Sequence, residues 1–115
     1  MKKKINILGV NYKIYDANEE KEVRLKTNWG FCDFHAKEIY IRDDIDKETD
    51  ETCKNLKDFK NKVLRHEIIH AFLYESGLRE NTLKLEAWAE NEEMVDWIAI
   101  QFPKLLKIFK ELNIL

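Results

Sequence analysis

Apolar and polar residues alternate at the start of the chain: Ile5 and Ile7 first, then Val10, Tyr12 and Ile14 after a slip of phase at Gly9. A period of two puts such residues on one face of a strand, and a slip at glycine predicts a bulge or tight turn. Glu22–Thr27 repeats the pattern briefly, with Val23 and Leu25 on one side. A turn at Asn28–Gly30 precedes "GFCDF". In "KEIYIRDD" Ile39 and Ile41 then face one way and Tyr40 and Arg42 the other. This first third predicts a small, mostly antiparallel sheet, left through the charged stretch Asp43–Thr52.

The period then lengthens. Leu56, Phe59 and Val63 recur at helical spacing, which predicts a helix over about 51–76 with Gly77 as its stop. Its second half, from Val63 to Leu73, is apolar almost all round and is expected to be buried. A second helix is expected over 83–101, with Trp88, Glu92, Val95 and Ala99 along one stripe. Pro103 fits the first turn of a last helix over 104–112, with Leu105, Ile108, Phe109 and Leu112 on one side. Strands first and helices after predict an α+β fold, as a single domain spanning 1–115.

Composition narrows the function classes. The chain is 44% hydrophobic and 37% charged, with three glycines and one proline, a balance that suits a packed core and not disorder. A net charge of −2 with both signs interspersed argues against a nucleic-acid partner, and no stretch approaches a membrane span. Lys2–Lys4 precede an apolar run that is too short for a signal peptide and is broken by Asn6. Cys32 and Cys53 make no CxxC pair and read as free thiols. Together these features predict a cytoplasmic protein.

The chemistry lies in "HEIIH", residues 66–70. On a helix, residues four apart stack roughly 5–6 Å from each other on one face, near enough for His66 and His70 to grip one metal. They continue the stripe of Leu56, Phe59 and Val63, so the face that should bury hydrocarbon buries two imidazoles and, beside them, Glu67. A lone buried carboxylate costs several kcal/mol. A divalent cation removes that difficulty, and H-E-x-x-H is the pattern in which two histidines bind zinc while the glutamate acts as general base. A tetrahedral catalytic zinc takes a third protein ligand and leaves one position open. In "EAWAENEEMVDWIAI" Glu92 falls on the apolar stripe, Glu93 sits beside it, and Asp96 follows one turn later. His35 is a substitute ligand, and Cys32 could also reach a metal, although a half-buried strand thiol is the simpler reading.

"HEIIH" followed by "NEEMVD", residues 91–96, resembles the gluzincin branch of the zincin metallopeptidases. The resemblance implies Zn²⁺ held by His66, His70 and Glu92, with Glu67 catalytic and Asp96 holding a ligating imidazole from behind. It implies a zincin-like arrangement of a small sheet on a long motif helix, with two further helices. It also implies a peptide or protein substrate, paired along an open strand edge at Ile39–Arg42. In metzincins a glycine and a third histidine would stand at Leu73 and Ser76, so that branch does not fit. Thermolysin-like members carry a further helical domain whose histidine and tyrosine support the oxyanion. For that role this chain offers Tyr74, His35, Tyr40 and Arg65. Stretches such as "RHEIIHAFLYESGL" and "NEEMVDWIAIQFP" also look like short phage or prophage proteins, and the resemblance extends to small enzymes that cleave phage repressors. The competing expectation is a metal-stabilised, non-catalytic protein-binding module of phage origin.

Overall fold

The computed structural model describes residues 2–45, 55–78 and 87–115. Expectations that fall on Glu51–Lys54, including Cys53, and on Leu83–Glu86 lie outside the described residues. The chain is α+β, a four-stranded mixed sheet and two long helices. Strands β1 (Lys2–Ile7) and β2 (Val10–Ala17) form an antiparallel hairpin around a tight turn at Leu8–Gly9, where the phase slips. β3 (Gly30–Asp33) and β4 (Glu38–Arg42) form a second hairpin, and β4 lies parallel to β2.

The sheet order is β1-β2-β4-β3. Two of the three pairings are antiparallel, as expected, and the sheet is mixed because the two hairpins join through the parallel β2–β4 pair. One expectation is corrected: Ile39–Arg42 is not an edge, since both flanks of β4 are paired, and the edge near the motif helix is β3. Alternation along a strand tells which residues share a face, not which neighbours the strand acquires.

Glu22–Thr27 is not a strand. Val23–Lys26 form a short 3-10 turn, with the Glu22 carboxylate accepting a hydrogen bond from the Arg24 N–H. Leu25 is fully buried while Val23 is 72% exposed, so the two do not share a face. Over four residues, an i, i+2 pair cannot separate a strand from one turn of tight helix.

Helix α1 (Leu56–Glu75) starts at Asn55, whose side chain accepts from the Asp58 N–H, and stops at Gly77 as expected. There the Gly77 and Leu78 N–H groups bond to the Tyr74 and Leu73 carbonyls, which satisfies the last turn. Val63, Glu67, His70 and Ala71 are its buried residues, and Phe72 is exposed, so the helix is buried along one side and not all round. The core lies between that side and the inner face of the sheet, with Ile7, Tyr12, Ile14, Ile39, Ile41 and Ile45.

Helix α2 (Glu92–Glu111) packs on α1 and follows a one-turn 3-10 segment, Trp88–Glu90. The two C-terminal helices expected on either side of Pro103 are therefore one, with the proline inside it. Proline removes the N–H that would bond to the carbonyl four residues back, here that of Ala99. The structure supplies a substitute: Arg65 Nε of α1 donates to the Ala99 oxygen at 2.7 Å.

The far end of α1 is tied to the sheet by a polar cluster. Tyr12 Oη donates to Glu75 Oε1 at 2.7 Å, and Lys37 Nζ pairs with the same oxygen at 2.6 Å. Burial pushes the Glu75 carboxyl up, but the bonds from Lys37 and Tyr12 more than reverse this, so it titrates below its ordinary value. The folded chain then binds fewer protons at Glu75 than the unfolded chain does. The stabilisation is complete above the ordinary carboxylate range and is lost as pH falls through the folded value. Glu75→Gln is expected to cost about 1.5–3 kcal/mol at neutral pH, the range for hydrogen bonds to charged groups. Denaturant melts of both proteins should show that gap narrowing as the pH drops below 4.5.

Candidate metal centre

α1 carries His66 and His70 one turn apart, on the side that meets the start of α2. Their rings lie 4.8 Å apart, and their Nε2 atoms are 3.1 Å apart. Glu92, the first residue of α2, reaches between them: one carboxylate oxygen is 2.8 Å from His66 Nε2 and the other 3.0 Å from His70 Nε2. These three residues form a group that could hold a metal ion. His35 is not in it; it is exposed in the turn after β3, its ring edge-on to Phe34.

The outer ring nitrogens fix what the inner ones can do. His70 Nδ1 is 2.6 Å from the Ala89 carbonyl oxygen, which can only accept, so Nδ1 carries the proton. His66 Nδ1 is 3.1 Å from Asp96 Oδ1. Burial pushes the Asp96 carboxyl up, but bonds from Lys62 and His66 reverse this and leave it below its ordinary value. It is therefore an ionised acceptor, and His66 also holds its proton on Nδ1. Both Nε2 atoms then present lone pairs to each other and to a carboxylate. A single proton can bridge only one of those pairs, whereas a cation in their midst satisfies all three. Ligands about 2.0–2.1 Å from a tetrahedral zinc sit roughly 3.3 Å from one another. The observed spacings of 2.8–3.1 Å need to open only slightly to admit an ion.

Glu67 is buried and stands outside the group. Burial pushes its carboxyl up to about 8, and the nearby Glu92 charge adds to the shift. It lines two hollows of about 180 and 150 Å³ that share Asn28, Gly30, Glu67 and Glu92. Lys62, His66 and Asp96 flank the first; Cys32, His70 and Tyr74 flank the second. Gly30 permits this closeness. A Cβ there would lie 2.9 Å from the Tyr40 carbonyl oxygen and 3.1 Å from a Val63 methyl, so any side chain would push β3 away from α1.

The remaining expected residues divide clearly. Tyr74 is at the site, its ring stacked on His70 at 5.8 Å and its hydroxyl 3.4 Å from a Glu90 carboxylate oxygen. Cys32 lines the second hollow as a half-buried strand thiol, with its titration pushed up by burial. Glu93 is exposed and outside the ligand group. Tyr40 is stacked between Tyr15 and Phe31 on the opposite face of the sheet, and Arg65 is engaged with α2. Neither faces the metal group.

Glu92 itself differs from expectation. The spacing puts it on an apolar stripe with Trp88, but its side chain is 68% exposed and Trp88 is 57% exposed. The reason is where α2 begins: Glu92 is its first residue, at the exposed end of the helix, and only Val95 and Ala99 continue the stripe inward. Two contributors carried no readable signal. The Ala89 oxygen is backbone, which no side-chain pattern announces, and Gly30 matters only through the approach of a distant helix. Lys62 had a signal, four residues before His66 on the same face. Searches of protein-family models, curated proteins and solved structures find no match to this chain.

Proposed function

We propose that the chain is a zinc-dependent peptidase in which His66, His70 and Glu92 hold the ion and Glu67 is the general base. The observation that carries this reading is the convergence of three acceptors, two imidazoles of fixed tautomer and a carboxylate, on one point. Ala89 and Asp96 behind the histidines serve as the orienting partners that metal-bound imidazoles require. Zinc, when bound, supplies Lewis acidity that activates water and polarises a substrate carbonyl.

The chain's own residues account for the rest. Glu67 is next to a ligand without being one, faces the shared hollow, and sits where burial raises its proton affinity. A carboxyl so placed can take a proton from the attacking water and return it to the leaving nitrogen. Among the described residues the group has three members, which suits a site with a free position better than a closed structural one. Among the described residues the outer edge of β3 pairs with no strand and adjoins the hollows, and an extended peptide could add to it through backbone hydrogen bonds, with little sequence preference. In that role β3 replaces the Ile39–Arg42 strand.

The test is elemental analysis of purified protein together with a casein and peptide-library assay. The reading predicts about one zinc per chain and hydrolysis that a chelator abolishes and zinc restores. Zinc retention without hydrolysis of any peptide would instead support a metal-stabilised binding module.

A further inference from the structure

Glu92 is an exposed side chain at the first position of α2, so its reach to the histidines is set by where α2 is docked along α1. The Pro103 ring denies the Ala99 carbonyl its helical partner, and Arg65 of α1 occupies that carbonyl at 2.7 Å. One turn towards the site, Lys62 Nζ and His66 Nδ1 hold the same oxygen of Asp96 at 3.0 and 3.1 Å. Val95 and Ala99, both fully buried, fill the space between these polar contacts.

We infer that Arg65 and Pro103 form a latch that positions Glu92 as a metal ligand, with Arg65 acting through α2 and not on the metal or the substrate. The inference rests on the metal-binding reading above. The latch explains why a proline stands inside a helix where it weakens the helix itself. The proline leaves a carbonyl without its helical donor, and that carbonyl gives the neighbouring helix a fixed point to grip. Arg65 and His66 are adjacent on α1, while Ala99 and Glu92 are about two turns apart on α2. A slip of one helix past the other therefore carries Glu92 away from both Nε2 atoms together.

The test uses the full chain and Zn²⁺ alone, with affinity read by competition against a chromophoric chelator and stability read by thermal melting of the metal-free protein. Arg65→Met is expected to weaken zinc binding about tenfold, at the lower end of the range for groups that act behind a ligand. Arg65→Lys, which can still donate to the carbonyl, should stay within about threefold of wild type. Pro103→Ala gives the more telling result. It returns the helical N–H to the Ala99 oxygen and removes the proline penalty, so the melting midpoint holds or rises. The helical N–H then competes with Arg65 for the carbonyl and loosens the latch, so zinc affinity falls. A purely structural proline or arginine would move both readouts in the same direction. If Arg65→Met does not fold, Pro103→Ala decides the matter. Wild-type zinc affinity in both Arg65→Met and Pro103→Ala would overturn the latch, as would wild-type affinity in Pro103→Ala when Arg65→Met cannot be measured. If wild type itself binds no zinc, the metal-binding reading falls and takes the latch with it; zinc bound by wild type and lost in His70→Ala separates the two failures.

Discussion

Glu67→Gln is expected to retain zinc and to lose about 10²–10⁴-fold in hydrolysis, the usual contribution of a positioned general base. The substitution keeps the shape of the side chain and removes only its ability to accept and return a proton. Glu67 is not within the ligand group, so the metal should be held as before. It is buried against the two hollows that Glu92 and the histidines border, so nothing else at that position would take over the proton. Zinc content and peptide hydrolysis measured on the same preparation provide the check. Equal hydrolysis by the variant would remove Glu67 from the mechanism.

His70→Ala should have the largest effect on metal. The variant removes one lone pair from the acceptor trio and leaves the Ala89 carbonyl without its donor at 2.6 Å. Zinc affinity should fall by more than about 100-fold, beyond the usual loss from altering a group behind a ligand. Linkage makes this visible without a substrate. A ligand at 100 times its dissociation constant stabilises the folded chain by about 2.7 kcal/mol. Wild type should thus gain thermal stability with added zinc and His70→Ala should gain none. Because the comparison is between zinc-loaded and zinc-free forms of each protein, any loss of packing in the variant cancels. A wild-type melting point indifferent to saturating zinc would count against the site.

Which parts of this were legible beforehand follows from the range of the interactions involved. The motif helix could be read because its stripe and its Gly77 stop are local; its start at Leu56, set by the Asn55 cap, was not read. The alternation in β1, β2 and β4 was equally local, and the burial of Tyr12, Ile14, Ile39 and Ile41 follows it. The order of strands was not legible, because the parallel pairing of β2 with β4 joins residues about 25 apart in the chain, such as Lys13 and Glu38. The same limit hid the edge: β4 alternates as an edge strand might, yet β3 closes its free side. Pro103 misled for another reason. A proline ends a helix unless tertiary structure answers its orphaned carbonyl, and the answer comes from Arg65, 34 residues away. His66 and His70 could be paired from their spacing, and the resemblance of "NEEMVD" implied Glu92 and Asp96, but the mutual geometry of the four could not be read. In particular Glu92 meets the histidines from an exposed position and not from within the core.

If the three converging acceptors hold a cation, diffraction from zinc-soaked crystals at the zinc absorption edge will show one anomalous peak about 2.0–2.2 Å from His66 Nε2, His70 Nε2 and a Glu92 carboxylate oxygen. Ordered imidazoles turned away from each other, with no peak between them at saturating zinc, would rule the site out.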